Sequence, residues 1–253
     1  MGVLTLASIG TTHPWNIAGI GLDARVAQRL EVRHVMVVAG VSAQGEGERV
    51  AASLDPEIVA AQLRAVRRAQ PDAYRIGALL SPQSVEAVAA GLDGVAVPIV
   101  CDPVAASSEG LVFADGATLA ALRKRLFPLC ALVTPNLAEA SHLSGFPVND
   151  RATMAGAAHT LVERDRAGAA LVTGGHLDGE ASDVLYADGK TTTFAGTQLP
   201  GGMRGTGCVL AAAAAVYLAR GENLIDAIGA ARALVRDAIA NSAGWNGERV
   251  WPY

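Results

Sequence analysis

"GGMRGTGCVLAAAAAVYLARG", residues 201–221, is the stretch on which the reading of this chain turns. A glycine cluster runs straight into an alanine-rich apolar segment. The spacing from Gly202 to Gly207 matches the GxxxxG of a phosphate loop, but Cys208-Val209 follow where Lys-Ser/Thr would stand, which excludes a Walker A loop. A Rossmann fingerprint is excluded too, because Leu210 holds its third glycine position and the loop comes late in the chain. What remains is physical. Alanine is a strong helix former, so a helix is expected over 206–220. Unpaired N–H groups at its first turn, with the positive end of the helix dipole, make an anion site from Gly205, Thr206, Gly207 and Cys208. A cysteine in such a turn is expected to have a lowered pKa and to act as a base or ligand-facing thiol. The alternative is a tight turn before a buried helix, with Cys208 as a small core residue.

Outward from this loop, short β-branched runs alternate with longer helical patterns. Strands are expected at 3–9, 34–41, 73–79, 97–102, 131–134 and 169–174. Their near-continuous hydrophobicity suits strands covered on both faces. Helices are expected at 18–31, 55–69, 81–91, 115–126, 136–144, 150–166, 206–220 and 223–241. Asp55-Pro56, Ser81-Pro82 and Asn149-Asp150 place cap residues before three of them. Two extended runs flank Asp188-Gly189 and predict an antiparallel hairpin over 182–196. The pattern predicts an α/β fold: a three-layer sandwich with a mainly parallel central sheet flanked by helices. No linker, repeat or low-complexity tract interrupts it, so residues 1–253 are expected to form one domain. Ligands of such sheets bind beyond the carboxyl ends of the strands.

Composition narrows the partners. The chain has 253 residues, 51% hydrophobic and 17% charged, enough to bury a sizeable core. A net charge of −4 gives no reason to expect nucleic acid or an anionic membrane surface. Three cysteines without a CxxC pair argue against a disulfide framework and for a reducing cytoplasm. The N-terminus lacks the basic start of a signal peptide, and the apolar run from Cys208 to Ala219 is shorter than the roughly 20 residues of a membrane span.

Six short segments carry more. They are "AGIGLD" (18–23), "VSAQ" (41–44), "VCDPV" (100–104), "TPNLAEASHLSG" (134–145), "ALVTGGHLDG…DVLY" (170–186) and "GTGC" (205–208). Together and in this order they resemble the ribokinase-like superfamily, and within it the hydroxymethylpyrimidine and phosphomethylpyrimidine kinases of thiamine synthesis. The resemblance runs from about residue 4 to 240. It implies transfer of the γ-phosphate of ATP to a substrate CH2–OH, in which positioning and charge neutralisation dominate. Gly205, Thr206, Gly207 and Cys208 would then donate N–H groups to the transferring phosphoryl oxygens, with the Cys208 thiolate as base. Asp102 and Glu139 would act through Mg2+ and its waters, with Asn136 orienting that shell or a phosphate. Thr173 and Arg204 would lie along the nucleotide. Gln44 would pair with an aminopyrimidine edge, and Asp23 would fix an amino group or ring nitrogen. Each residue also has a simpler reading. Asp102 before Pro103 can end a strand, Asn136 and Glu139 fit a helix capping box, and Gln44 and Asp23 can be surface groups.

The departures from the family bear on substrate and activity. The first loop reads "TTHPWNIAG" (11–19), so Trp15 either stacks on a flat ring or fills the pocket, and His13 has no assigned role. Family lysines are replaced by Thr173 and by Ser107-Ser108, His176 is read as structural, and Arg204 is expected to be the nearest positive charge to the transfer site. Two other readings stay open: a kinase of pyridoxal or pyridoxine, and a ligand-binding or regulatory protein without catalysis, which the missing lysines motivate. The resemblance also implies a homodimer.

Overall fold

The structure, a computed structural model, describes residues 2–45, 48–107, 110–175 and 181–252. Ser108 and His176 lie outside the described residues. In chain order the elements are β1 (Thr5–Thr12), α1 (Gly19–Arg29), β2 (Arg33–Gly45), β3 (Glu48–Ser53), α2 (Pro56–Arg67), β4 (Ala73–Ile76), α3 (Pro82–Leu92), β5 (Ile99–Cys101) and α4 (Gly116–Ala121). They continue with β6 (Leu132–Val133), α5 (Leu137–Ser144), α6 (Arg151–Glu163), β7 (Ala169–Val172), β8 (Asp183–Ala187), β9 (Lys190–Phe194), α7 (Thr206–Ala219), α8 (Leu224–Ala240), β10 (Ala243–Trp245) and β11 (Glu248–Val250).

The main sheet has nine strands in the order β3-β2-β1-β4-β5-β6-β7-β8-β9. β2, β1, β4, β5, β6 and β7 pair in parallel, whereas β3, β8 and β9 join antiparallel at the two ends. This is the three-layer arrangement that the alternating pattern predicts. One apolar layer joins one face of the sheet to α2, α3, α5 and α6. The other joins the opposite face to α1, α7 and α8, and all five alanines of Ala211–Ala215 are buried in it. A helix apolar on every side is a helix covered on every side.

Capping follows the sequence signals. Asp55, Ser81 and Asp150 each accept a first-turn N–H with the side chain, at 2.8, 3.2 and 2.7 Å. The sequence pattern misses three features. β2 runs on to Gly45 and pairs with β3, a largely exposed edge strand whose polar ERVAAS lacks a buried face. A second sheet, β10–β11, closes the chain. The helix expected over 115–126 ends at Ala121 and continues as a wider π turn over Leu122–Leu126 and a 3-10 turn over Phe127–Leu129.

Candidate active site

The carboxyl ends of the parallel strands converge on the N-terminus of α7. Gly205 caps that helix with φ of 84°, in the left-handed region where glycine is favoured. A Cβ there would come within 2.6 Å of the Ile17 carbonyl oxygen and would also strike Leu22, so the turn is pressed against α1 and the loop before it. No side chain caps the helix. Its first turn therefore faces two adjoining cavities with main-chain donors and the dipole's positive end.

The larger cavity, about 520 Å3, is lined by Asn136, Thr173, Gly202, Arg232 and Arg236, among others. The smaller, about 240 Å3, is lined by His13, Gln44, Arg75, Ser107, Arg204 and Cys208, among others. Asp102, Asn136, Glu139, Met203, Thr206 and Gly207 line both. The two spaces thus meet at the first turn of α7, opposite the acidic end of β5.

Charge at this junction centres on a residue that the motif reading passed over. Arg75 in β4 is 1% exposed. Its Nη2 donates to Asp102 Oδ2 at 2.6 Å and its Nη1 to Asp23 Oδ2 at 3.2 Å. Burial alone would disfavour the guanidinium charge, but Asp23, Cys208 and Asp102 outweigh it and hold the pKa above the usual arginine range. The available signal was an arginine inside the apolar run AYRIGAL: a cation in a covered strand has to be paired. The cation that acts on Cys208 is therefore Arg75, in a cavity that Arg204 also lines.

Cys208 is a half-buried residue in the wall of the smaller cavity. Burial pushes its thiol up to about 11, with Arg75 pulling the other way and Asp102 and Asp23 adding to the rise. The lowered pKa expected for a first-turn cysteine is not found. Desolvation and two carboxylates outweigh the helix end and the guanidinium.

Asn136 and Glu139 form the capping box at the start of α5. Asn136 Oδ1 accepts the Glu139 N–H at 3.0 Å, and Glu139 Oε2 accepts the Asn136 N–H at 2.9 Å. Glu139 Oε1 also accepts the Ala105 N–H at 3.2 Å. The structural reading is thus realised, and the same two residues face both cavities. Burial, and then the nearby Asp102 charge, push Glu139 up to about 8. Asp102 is likewise raised by burial, against the pull of Arg75.

Other expected site residues fall in different places. Asp23 is 0% exposed and lines neither cavity. Burial holds its carboxyl up at about 6 against Arg75, which it braces from below. Trp15 lines neither cavity and meets Trp245 of β10 edge-on, 5.2 Å between ring centroids. Gln44 is buried at the end of β2, in the smaller cavity. Thr173 lines the larger one. Arg204, expected along the nucleotide, lines the smaller cavity, where its Nη2 donates to Gln44 Oε1 at 2.5 Å.

Positive charge in the larger cavity comes from α8. Arg232 Nε donates to Asp183 Oδ2 at 2.7 Å, and Arg236 Nη1 to the Thr197 carbonyl at 2.9 Å. Among the described residues no cluster of three or more His, Cys, Asp or Glu side chains forms a ready-made metal cage. Asp102 and Glu139 nonetheless suit a divalent cation that keeps most of its waters. They are two desolvated carboxylates facing the same junction, and the Asp102 charge further disfavours ionised Glu139. Among the described residues no helix is long and apolar enough to cross a membrane.

Known proteins resemble this chain over most of its length. The family model described as phosphomethylpyrimidine kinase matches residues 15–251. The hydroxymethylpyrimidine/phosphomethylpyrimidine kinase of Rhizobium meliloti is 37% identical over 232 residues, covering 88% of this chain and 85% of that protein. Among solved structures, phosphomethylpyrimidine kinase from Clostridium difficile superposes with a TM-score of 0.81 at 25% identity, covering 93% of this chain and 99% of that one. An ADP complex of Bacillus subtilis pyridoxal kinase superposes with a TM-score of 0.90 at 26% identity, covering 99% and 97%. This chain belongs to the phosphomethylpyrimidine kinase family, on the ribokinase-like fold.

Proposed function

We propose that this chain is one kinase domain that transfers the γ-phosphoryl group of ATP to 4-amino-5-hydroxymethyl-2-methylpyrimidine or its monophosphate, in thiamine biosynthesis. Family membership supports the chemistry, and one observation carries its placement. Thr206 and Gly207 line both cavities, so the first turn of α7 separates and serves two ligand spaces. In this reading the larger space takes ATP, with Arg232 and Arg236 toward its anionic side, and the smaller takes the acceptor. The residues of both then hold the two reactants in line, which is most of what phosphoryl transfer asks of a protein.

The chain's own groups have distinct work. The N–H groups from Gly205 to Cys208 stabilise charge on the transferring phosphoryl oxygens. Cys208 takes the acceptor hydroxyl proton on Sγ; a thiol raised to about 11 gives a strong base that is seldom free at neutral pH. Arg75 keeps Asp102 in place and favours the thiolate. Asp102 and Glu139 would hold Mg2+ through their carboxylates, with Asn136 fixing Glu139 by the capping box. Bound there, the cation would supply neutralisation of phosphate charge.

Incubation with ATP, Mg2+ and either pyrimidine should release ADP. A panel that also contains pyridoxal and pyridoxine tests the alternative. A specific observation favours that second reading, since the pyridoxal kinase superposes more fully than the phosphomethylpyrimidine kinase. Turnover of pyridoxal alone would replace the first reading with it. Binding without ADP release from any substrate would favour a non-catalytic protein, although Arg232 and Arg236 weaken the case that missing lysines leave the site uncharged. The same reading takes the protein as a homodimer of the cytoplasm, to be tested by light scattering and cell fractionation.

A further inference from the structure

The C-terminal hairpin β10–β11 is not hydrogen-bonded into the main sheet. It is fastened instead to the two loops that wall the smaller cavity. Trp245 meets Trp15 of the first loop. The Arg249 carbonyl accepts the Arg204 N–H at 2.9 Å, in the glycine loop. Glu248 Oε1 lies 3.3 Å from Arg204 Nη1, with 7% of the arginine side chain and 27% of the glutamate side chain exposed. Arg204 Nη2 then reaches across the cavity to Gln44 Oε1 at 2.5 Å. A guanidinium only donates, so the Gln44 atom it meets is the oxygen. The amide nitrogen donates to Ser42 Oγ at 3.4 Å, and Ser42 Oγ donates to the Thr12 carbonyl at 2.8 Å.

This network bears on which acceptor the cavity prefers. A neutral ring whose amino group takes Gln44 Oε1 must displace a charge-assisted hydrogen bond and offers Arg204 nothing in return. A ring that already carries a phosphate offers the guanidinium a two-point anionic partner and frees Gln44 at the same time. We propose that Arg204, poised by Glu248 of the C-terminal hairpin, is a specificity-determining residue that biases the smaller cavity toward a phosphate monoester over the free alcohol. The inference rests on the kinase reading above. For such an acceptor, a monoester oxygen forms the new bond to the γ-phosphorus as the bond from that phosphorus to the ADP oxygen breaks. The products are a diphosphate ester and ADP, with no redox change.

The test is the ratio of kcat/KM for the pyrimidine monophosphate to that for the pyrimidine alcohol, with ATP and Mg2+, in the wild-type protein and three variants. Arg204→Gln should lower the ratio about tenfold or more, chiefly through KM of the monophosphate. Arg204→Lys should restore part of it. Glu248→Gln, which keeps a neutral partner for Arg204, should raise the ratio by a few fold. Equal losses on both substrates in Arg204→Gln, or a change confined to KM for ATP, would overturn the proposal. Calorimetry without ATP compares pyridoxal 5′-phosphate with pyridoxal on the same proteins. If the wild type phosphorylates neither pyrimidine, the pyrimidine-kinase reading fails by itself. The proposal then stands if Arg204→Gln abolishes a preference for the phosphorylated ring, and falls if the wild type shows no such preference.

Discussion

The two cavities share six residues and one helix end, yet they hold their cations in different ways. In the larger, Arg232 and Arg236 come from neighbouring turns of α8, and the hydrogen bonds that restrain them go to Asp183 and to main-chain carbonyls. In the smaller, Arg75 and Arg204 come from β4 and the glycine loop, and each is bound by groups that also face the ligand space, Asp102 for one and Gln44 for the other. In the first space Arg232 is paired with Asp183, which lines that space too, whereas Arg236 is exposed and held only by a neutral carbonyl, so its charge is open to a polyanion of suitable size. Charge in the second is spoken for until a ligand outbids the present partner. One design suits a donor common to many kinases, and the other suits discrimination among acceptors.

The largest effect should come from the thiol at the junction. With the alcohol as acceptor, Cys208→Ala is expected to reduce kcat by about 10²–10⁴-fold, the contribution of a positioned base, with circular dichroism unchanged. Near-normal turnover would remove Cys208 as base. In the ligand-free wild type its alkylation by iodoacetamide should be slow at pH 7 and rise about tenfold per pH unit, because a pKa near 11 leaves the thiolate fraction proportional to hydroxide throughout that range. A rate already at its plateau by pH 8 would contradict the effect of burial described above.

The next change separates the two spaces. Arg236→Ala should raise KM for ATP several-fold, in line with loss of one exposed phosphate contact, and should move the acceptor KM far less. Equal movement of both constants would break the comparison. A smaller effect concerns the junction carboxylates. Millimolar Mg2+ without nucleotide should raise the melting temperature by a few degrees, and Asp102→Asn or Glu139→Gln should abolish the rise. A rise that persists in both variants would put the cation elsewhere.

The smallest lies far from the chemistry. His34 on β2 is held down at about 4 by burial, so the folded state binds fewer protons than the unfolded chain between about pH 4 and 6.5. Stability should therefore fall as pH drops through that window. His34→Asn should flatten urea unfolding across it, by about 1–2 kcal/mol after allowance for the side chain's partial exposure.

The sequence states the parallel sheet clearly because strands covered on both faces read as unbroken apolar runs, and because glycine, proline and cap residues punctuate them. β3 escapes that logic. It is an exposed edge, so no face of ERVAAS is selected to be apolar. The terminal hairpin was legible in principle from Asn246-Gly247, a strong turn pair, and both residues take positive φ, at 47° and 80°. Three-residue strands carry too little pattern to reinforce it. At the site, motif order brings Asp102, Asn136, Glu139 and Cys208 to one junction. It does not tell which polar side chains pair with one another below the surface. Motifs alone therefore leave out Arg75 and its pairing with Asp23, and they give the Cys208 shift the opposite sign. Those outcomes depend on desolvation, which a linear motif does not encode.

The buried alanines of α7 have a consequence for how the enzyme can change. Residues this small let a helix lie flat against α1, α8 and the sheet, so its position is fixed along its whole length. Adding two methyl groups at Ala213, well down the helix from Cys208, would have to be absorbed by sliding or tilting that rod. The first turn would travel with it. Laboratory evolution of this protein should therefore find tuning mutations in the alanine run, where no ligand is ever touched, as readily as in the walls of either pocket.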